Sequence, residues 1–104
     1  MFYILAPTKE PRPVSLREWC VWRGRAAANG DHVVAFTELP AVEVSTIFLG
    51  WGMALKGPPL VFESMVFAAG SRSTVLDERR YATWIDAEVG HAELVEKYAR
   101  LPRF

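Results

Sequence analysis

The stretch that most limits the possible folds is LVFESMVFA, residues 60 to 68, because its apolar residues stand at both odd and even positions. Side chains alternate across a strand, so both faces of this one are apolar and both call for cover. Just upstream, VEVSTIFL (residues 42 to 49) reads as a second strand. Its Val44, Thr46 and Phe48 point one way, and Glu43, Ser45, Ile47 and Leu49 the other. HVVAFTEL, residues 32 to 39, reads as a third strand, stopped by Pro40. Short connections between these three favour an antiparallel meander.

Cover for that sheet must come from two helices. Ser15-Leu-Arg-Glu18 has capping-box spacing, the Ser15 hydroxyl accepting from the Glu18 amide while the Glu18 carboxylate reaches back. A helix from about Leu16 to Ala27 follows, with Leu16, Trp19, Cys20 and Arg23 at helical spacing and Trp22 and Ala26 on the adjoining flank, and Asn29-Gly30 ends it. Thr83 is the expected N-cap of a second helix, with Asp86 in the position of a capping box. That helix is expected to reach about Leu101, with Trp84, Ala87, His91, Leu94, Val95 and Tyr98 on one face and Asp86, Glu93, Glu96, Lys97 and Arg100 on the other.

Phe2 to Leu5 adds a short N-terminal strand, and Pro7, Pro11 and Pro13 make the following KEPRPV an extended connector without regular pairing. Residues 69 to 80 read as a polar loop, anchored by Val75 and Leu76. The order is β-α-β-β-β-α. It defines an α+β fold, a small antiparallel sheet of about four strands with two helices on one face, in a single domain spanning residues 1 to 104.

The 12 basic and 12 acidic side chains balance, which argues against a nucleic-acid binder that works by neutralising phosphate. The first thirty residues do carry five basic side chains against two acidic ones: Lys9, Arg12, Arg17, Arg23 and Arg25. Their first reading is a solvated face. With Trp19 or Trp22 as a stacking surface they make a small nucleic-acid-associated protein the alternative. Cys20 is the only cysteine, so no internal disulfide forms, and it reads as a small buried hydrophobe in a reducing compartment. No apolar run is long enough for a membrane helix and MFYILAP lacks the basic start of a signal peptide, so a soluble cytoplasmic protein is expected.

Chemistry is thinly represented. Gly50-Trp51-Gly52 resembles a phosphate loop in composition only. A helix N-terminus should follow such a loop, but here Pro58, Pro59 and a strand come instead, and the glycines read as a hairpin connection. His32, His91 and Cys20 show no zinc-ligand spacing, so no metal or other cofactor is expected. His91, in the middle of the apolar stripe of the last helix, reads as a core-edge histidine bonded to backbone or hydroxyl. A hydrolase-type enzyme using His91 with Ser64 is the weakest reading, because nothing supplies an orienting third group or an oxyanion hole. Glu63 shares a face with Val61, Met65 and Phe67. On the covered face it would need a partner such as Arg79 or Arg80. On the open face, the preferred reading, it is solvated beside an exposed apolar patch.

VSTIFLG (Val44 to Gly50), GPPLVFESMVF (Gly57 to Phe67) and RYATWIDAEVGH (Arg80 to His91) resemble a set of small uncharacterised proteins of bacteriophages and prophages. The shared core there runs VST-x-FLG, F-E-[ST]-MVF, RY-x-TW-x-x-A-x-x-GH, and covers about half of this chain. Residues 51 to 56, residues 69 to 79 and the N-terminal third depart from it. The resemblance carries no activity. It implies a phage-type accessory protein, a class that often binds and inhibits a host component such as CRISPR or other defence machinery.

Together these readings favour a non-enzymatic module in the host cytoplasm that binds a host or phage protein complex, with a homodimer as a further way of covering apolar surface. Trp51, Met53, Leu55 and Glu63 are the interface candidates. Ser15, Glu18, Thr83, Trp84 and His91 are the structural ones.

Overall fold

A computed structural model describes residues 1–52 and 56–101. Met53 and Leu55 lie outside the described residues. The chain forms β1 (Phe2–Leu5), β2 (Pro11–Val14), α1 (Leu16–Asn29), β3 (Val33–Glu38), β4 (Val42–Phe48), β5 (Phe62–Ala68), β6 (Ser71–Tyr81) and α2 (Trp84–Tyr98). Strands β3 to β6 make an antiparallel meander in chain order, and β1 pairs with β2 in a separate ribbon. The α+β class and the four-stranded antiparallel sheet hold, but the fourth strand of that sheet is β6, not the N-terminal strand.

Two segments expected to be irregular are strands. In the ribbon, Tyr3 stands opposite Pro13 and Leu5 opposite Pro11. The Tyr3 amide turns away from β2 and donates to the Gly50 carbonyl at 2.6 Å. The prolines therefore occupy positions where the ladder needs no N–H, and the two-stranded ribbon tolerates them. Lys9, at φ 71, closes the β1–β2 turn, with the Lys9 amide on the Ala6 carbonyl at 2.9 Å. The second segment, β6, is an edge strand, and edges are commonly charged. That composition hides it in the sequence. Its bulges leave Arg72, Ser73, Thr74 and Leu76 without partners on β5, and Val75 and Leu76 are exposed and do not anchor it.

The helices start and stop as their caps dictate. Ser15 and Glu18 form the complete capping box of α1, and Gly30 closes it in the left-handed conformation at φ 81. The buried side of α1 is Trp19, Trp22, Arg23 and Ala26, while Leu16 and Cys20 are exposed. This corrects the apolar stripe, and it corrects the reading of Cys20 as a buried hydrophobe: the helix is rotated so that its tryptophans meet the ribbon and the end of the sheet. Trp19 packs on Phe2 and Trp22 sits edge-on to Phe48. Thr83 caps α2 through the Asp86 amide at 3.0 Å. α2 then lies across all four strands of the meander.

The β4 side chains Val42, Val44, Thr46 and Phe48 and the β5 side chains Phe62, Ser64 and Val66 face α2 and are buried. They build a core in two parts. Tyr3, Leu5, Phe48, Val61, Phe62 and Ala87 form one, and Ala41, Val42, Val44, Val66 and Leu94 the other. The paired residues Thr46 and Ser64 lie between the two parts, with His91 above them. The connection from β4 to β5 is no tight turn. Its first residues pair with β1, through a Phe2–Trp51 bridge and a bond from the Gly52 amide to the Met1 carbonyl at 3.2 Å. Gly50, at φ 78, is required there, since a Cβ would come 2.5 Å from Trp19 Nε1 and 2.7 Å from the Tyr3 carbonyl.

Candidate functional site

Two places concentrate polar chemistry, and only one of them is accessible. The enclosed one is a chain of hydroxyls around His91. Thr37 Oγ1 lies 2.9 Å from His91 Nε2, and Thr46 Oγ1 lies 2.7 Å from His91 Nδ1. Thr46 Oγ1 is in turn 2.6 Å from Ser64 Oγ, which accepts from the Tyr81 hydroxyl at 3.0 Å. Protons running from Tyr81 to Ser64, to Thr46 and to Nδ1 leave none of those hydroxyl hydrogens without an acceptor. This direction places the imidazole proton on Nε2, facing Thr37. Burial pushes the His91 pKa below its ordinary value, keeping the ring neutral. Ser64 is fully buried and reaches His91 only through Thr46, so the pair expected of a hydrolase is a strut in the middle of the core.

The accessible place is the face of the sheet opposite α2. Alternation sends Ser45 and Ile47 of β4, Glu63, Met65 and Phe67 of β5, and Phe36 of β3 to this side. With His32, Val33 and Arg72 they line a trough of about 340 Å³. Val33 is 40% exposed and Phe36 44%, on a face that no helix crosses among the described residues.

An ion pair stands at each end of the trough. At one end the Arg72 guanidinium lies 5.6 Å from the Phe36 ring and 5.4 Å from the Phe67 ring, and reaches Glu43 at 3.7 Å. At the other, Arg80 bonds Glu63 at 3.1 Å and lies 5.9 Å from the Trp51 ring. Glu63 is thus on the open face as expected, but it is not solvated. It is 7% exposed, and Arg80 compensates its charge. The trough thus has an apolar floor between two neutralised ion pairs.

Trp51 is 49% exposed at the Arg80 end and does not cap the core. Met53 and Leu55 lie outside the described residues, so of the interface candidates Trp51 and Glu63 are placed, on adjoining parts of one surface. Val33, Phe36, Ile47, Arg72 and Arg80 complete that surface, and the sequence reading did not select them. Ile47 carried a signal, its alternation opposite to Val44 and Phe48. Arg80 was named only as a partner for a covered Glu63, and it does pair with Glu63, on the open face. Arg72 carried no signal, because its segment read as a loop. The tryptophans of α1 are half-buried, and Trp22 lines a shallow hollow with Arg17 and Arg25. Trp19 and Trp22 pack inward on Phe2 and Phe48, and Arg23 is used on the carbonyls of Phe48 and Leu49 at 3.2 and 3.3 Å.

The fold defines a four-stranded antiparallel meander with one face covered by a helix, the other open, and an N-terminal ribbon at its end. The chain matches no family model, no curated protein and no solved structure. Among the described residues no helix is long and apolar enough to cross a membrane.

Proposed function

We propose that this chain is a non-enzymatic binding module that engages a protein through the open face of its sheet. In this reading it serves a phage or prophage as an accessory protein that occupies a surface of a host or phage complex. The observation that carries the reading is the uncovered trough. Val33, Phe36, Ile47 and Met65 offer an apolar floor, with Trp51 at the rim and a compensated ion pair at either end. Apolar patches framed by polar residues mark interaction sites, and a half-exposed tryptophan is a common anchor. The three segments that resemble phage proteins supply the class of partner, and anti-defence inhibition is one form such binding takes.

The test is capture from bacterial lysate with wild-type protein, Met65→Lys and Ile85→Lys. Ile85 is exposed at the start of α2, away from the trough. A captured protein lost with Met65→Lys and kept with Ile85→Lys supports the reading, and Trp51→Ala is expected to weaken it. Capture that is indifferent to Met65→Lys, in a variant with native circular dichroism, overturns it.

A further inference from the structure

We propose that the chain self-associates through the free edge of β3, a second copy adding its own β3 antiparallel to make one continuous sheet. The backbone geometry comes first. The Leu39 amide donates to the Val42 carbonyl at 2.8 Å, and the register continues through Thr37 opposite Val44 and Ala35 opposite Thr46. Ala35 and Thr37 therefore spend their amides and carbonyls on β4, and those of Phe36 and Glu38 project from the outer edge. No described backbone group outside the sheet bonds to them.

The two edges of the sheet differ in protection. β6 is guarded by Arg72, Asp77, Glu78, Arg79 and Arg80 and by its bulges. β3, VVAFTE, has one charge, no proline and no lysine. Its bulge between Val33 and Ala35 lies at one end and leaves Phe36 to Glu38 regular.

Charge identifies the second copy as the occupant. Within one chain Glu38 stands directly opposite Glu43, an unfavourable pairing, and it has no ion-pair partner among the described residues. When Phe36 of one copy faces Glu38 of the other, every outward amide and carbonyl of these two residues is paired. Glu38 then lies beside a Phe36 ring that already has Arg72 over it at 5.6 Å. Arg72 is 63% exposed, and among the described residues its carboxylate partner is Glu43 at 3.7 Å. The pairing brings it a second carboxylate, and by symmetry this happens at both ends of the interface. Directly opposed residues of an antiparallel pair share a face. Both open troughs thus lie on the same side of the joined sheet, and a partner with two sites would be held bivalently.

Sedimentation velocity of the full chain across the micromolar range decides the matter, and it does not depend on the trough being a binding surface. The expected result is a concentration-dependent dimer. Glu38→Pro removes an outward N–H that serves no bond inside the chain, and should raise the dimer dissociation constant at least ~10-fold. Glu38→Lys, which meets Arg72 with like charge, should do the same, and adding Arg72→Glu should restore association. Native circular dichroism qualifies each variant, and if Glu38→Pro does not fold, the charge exchange decides. A monomer at every concentration, a dimer indifferent to both Glu38 variants, or a charge exchange that restores nothing overturns the inference. A monomer that still loses its captured protein with Met65→Lys would overturn this inference alone and leave the open-face reading standing.

Discussion

The Thr46 hydroxyl lies 2.7 Å from His91 Nδ1 and ties the middle of α2 to the centre of β4. The contact sits between the two apolar parts of the core, and it bears on stability. His91→Ala would leave Thr37 and Thr46 facing a void and should cost about 2–4 kcal/mol. His91→Gln keeps a donor and an acceptor and should recover part of the loss. Urea unfolding of the three proteins checks the ordering.

The same histidine makes the stability of the fold depend on pH. Its folded pKa is depressed by burial, so above the ordinary histidine value near 6.5 the ring is neutral folded or unfolded and makes no difference to stability. Below that value the unfolded chain takes up a proton the folded chain refuses, and stability falls as the pH drops. Asp77 acts at lower pH. Lys97 at 3.0 Å and the Tyr98 hydroxyl at 2.9 Å depress its pKa, so its contribution is present above the ordinary aspartate value and disappears as the carboxylate protonates. Thermal midpoints measured from neutral to acid pH should decline in two limbs, and His91→Gln should abolish the upper one alone.

Gly90 gives a sign test. Replacing glycine by alanine inside a helix ordinarily gains up to about 1 kcal/mol. Here a Cβ at Gly90 would collide with the Tyr81 ring, whose hydroxyl is fixed on Ser64 at 3.0 Å. The collision should win, with Gly90→Ala losing about 2 kcal/mol. Gly24→Ala, where a Cβ meets nothing within 4 Å, should gain. Chemical denaturation of the two variants separates the cases.

Glu63 and Arg80 should respond unequally. Arg80→Ala strands a carboxylate that is 7% exposed and should destabilise by about 3 kcal/mol. Glu63→Met removes the charge while keeping the volume, and leaves the more exposed Arg80 in solvent, so it should be close to neutral. Their denaturant midpoints should differ accordingly.

How much of this was legible in the sequence follows from which forces are local. The capping residues Ser15, Glu18 and Thr83 and the stop at Gly30 depend on neighbours within a few positions, and they stand where the spacing placed them. β4 was readable because one of its faces is fully buried, and the α2 stripe because Ala87, His91 and Leu94 are buried along its middle. β2 and β6 were not. Pro11 and Pro13 are tolerated only because the ladder direction is set by Tyr3 turning to Gly50, and the charges of β6 are compatible with a strand only because it is the edge. The rotation of α1 was likewise open, since Leu16–Cys20 and Trp19–Trp22 offer competing stripes.

The site divides the same way. Alternation separated Thr46 from Ser45 along β4 and Ser64 from Glu63 and Met65 along β5, and the strand register put Thr46 and Ser64 on one face. Sequence alone did not decide which face α2 would cover, because both were apolar enough. Tertiary packing settled it. Over Thr37 and Thr46 His91 satisfies both ring nitrogens, and the trough, with Arg72 and Arg80 brought over it from β6, faces outward. Hydrogen-bond partners for a buried ring must come from elsewhere in the chain, and a linear pattern of apolar residues does not encode where they will be.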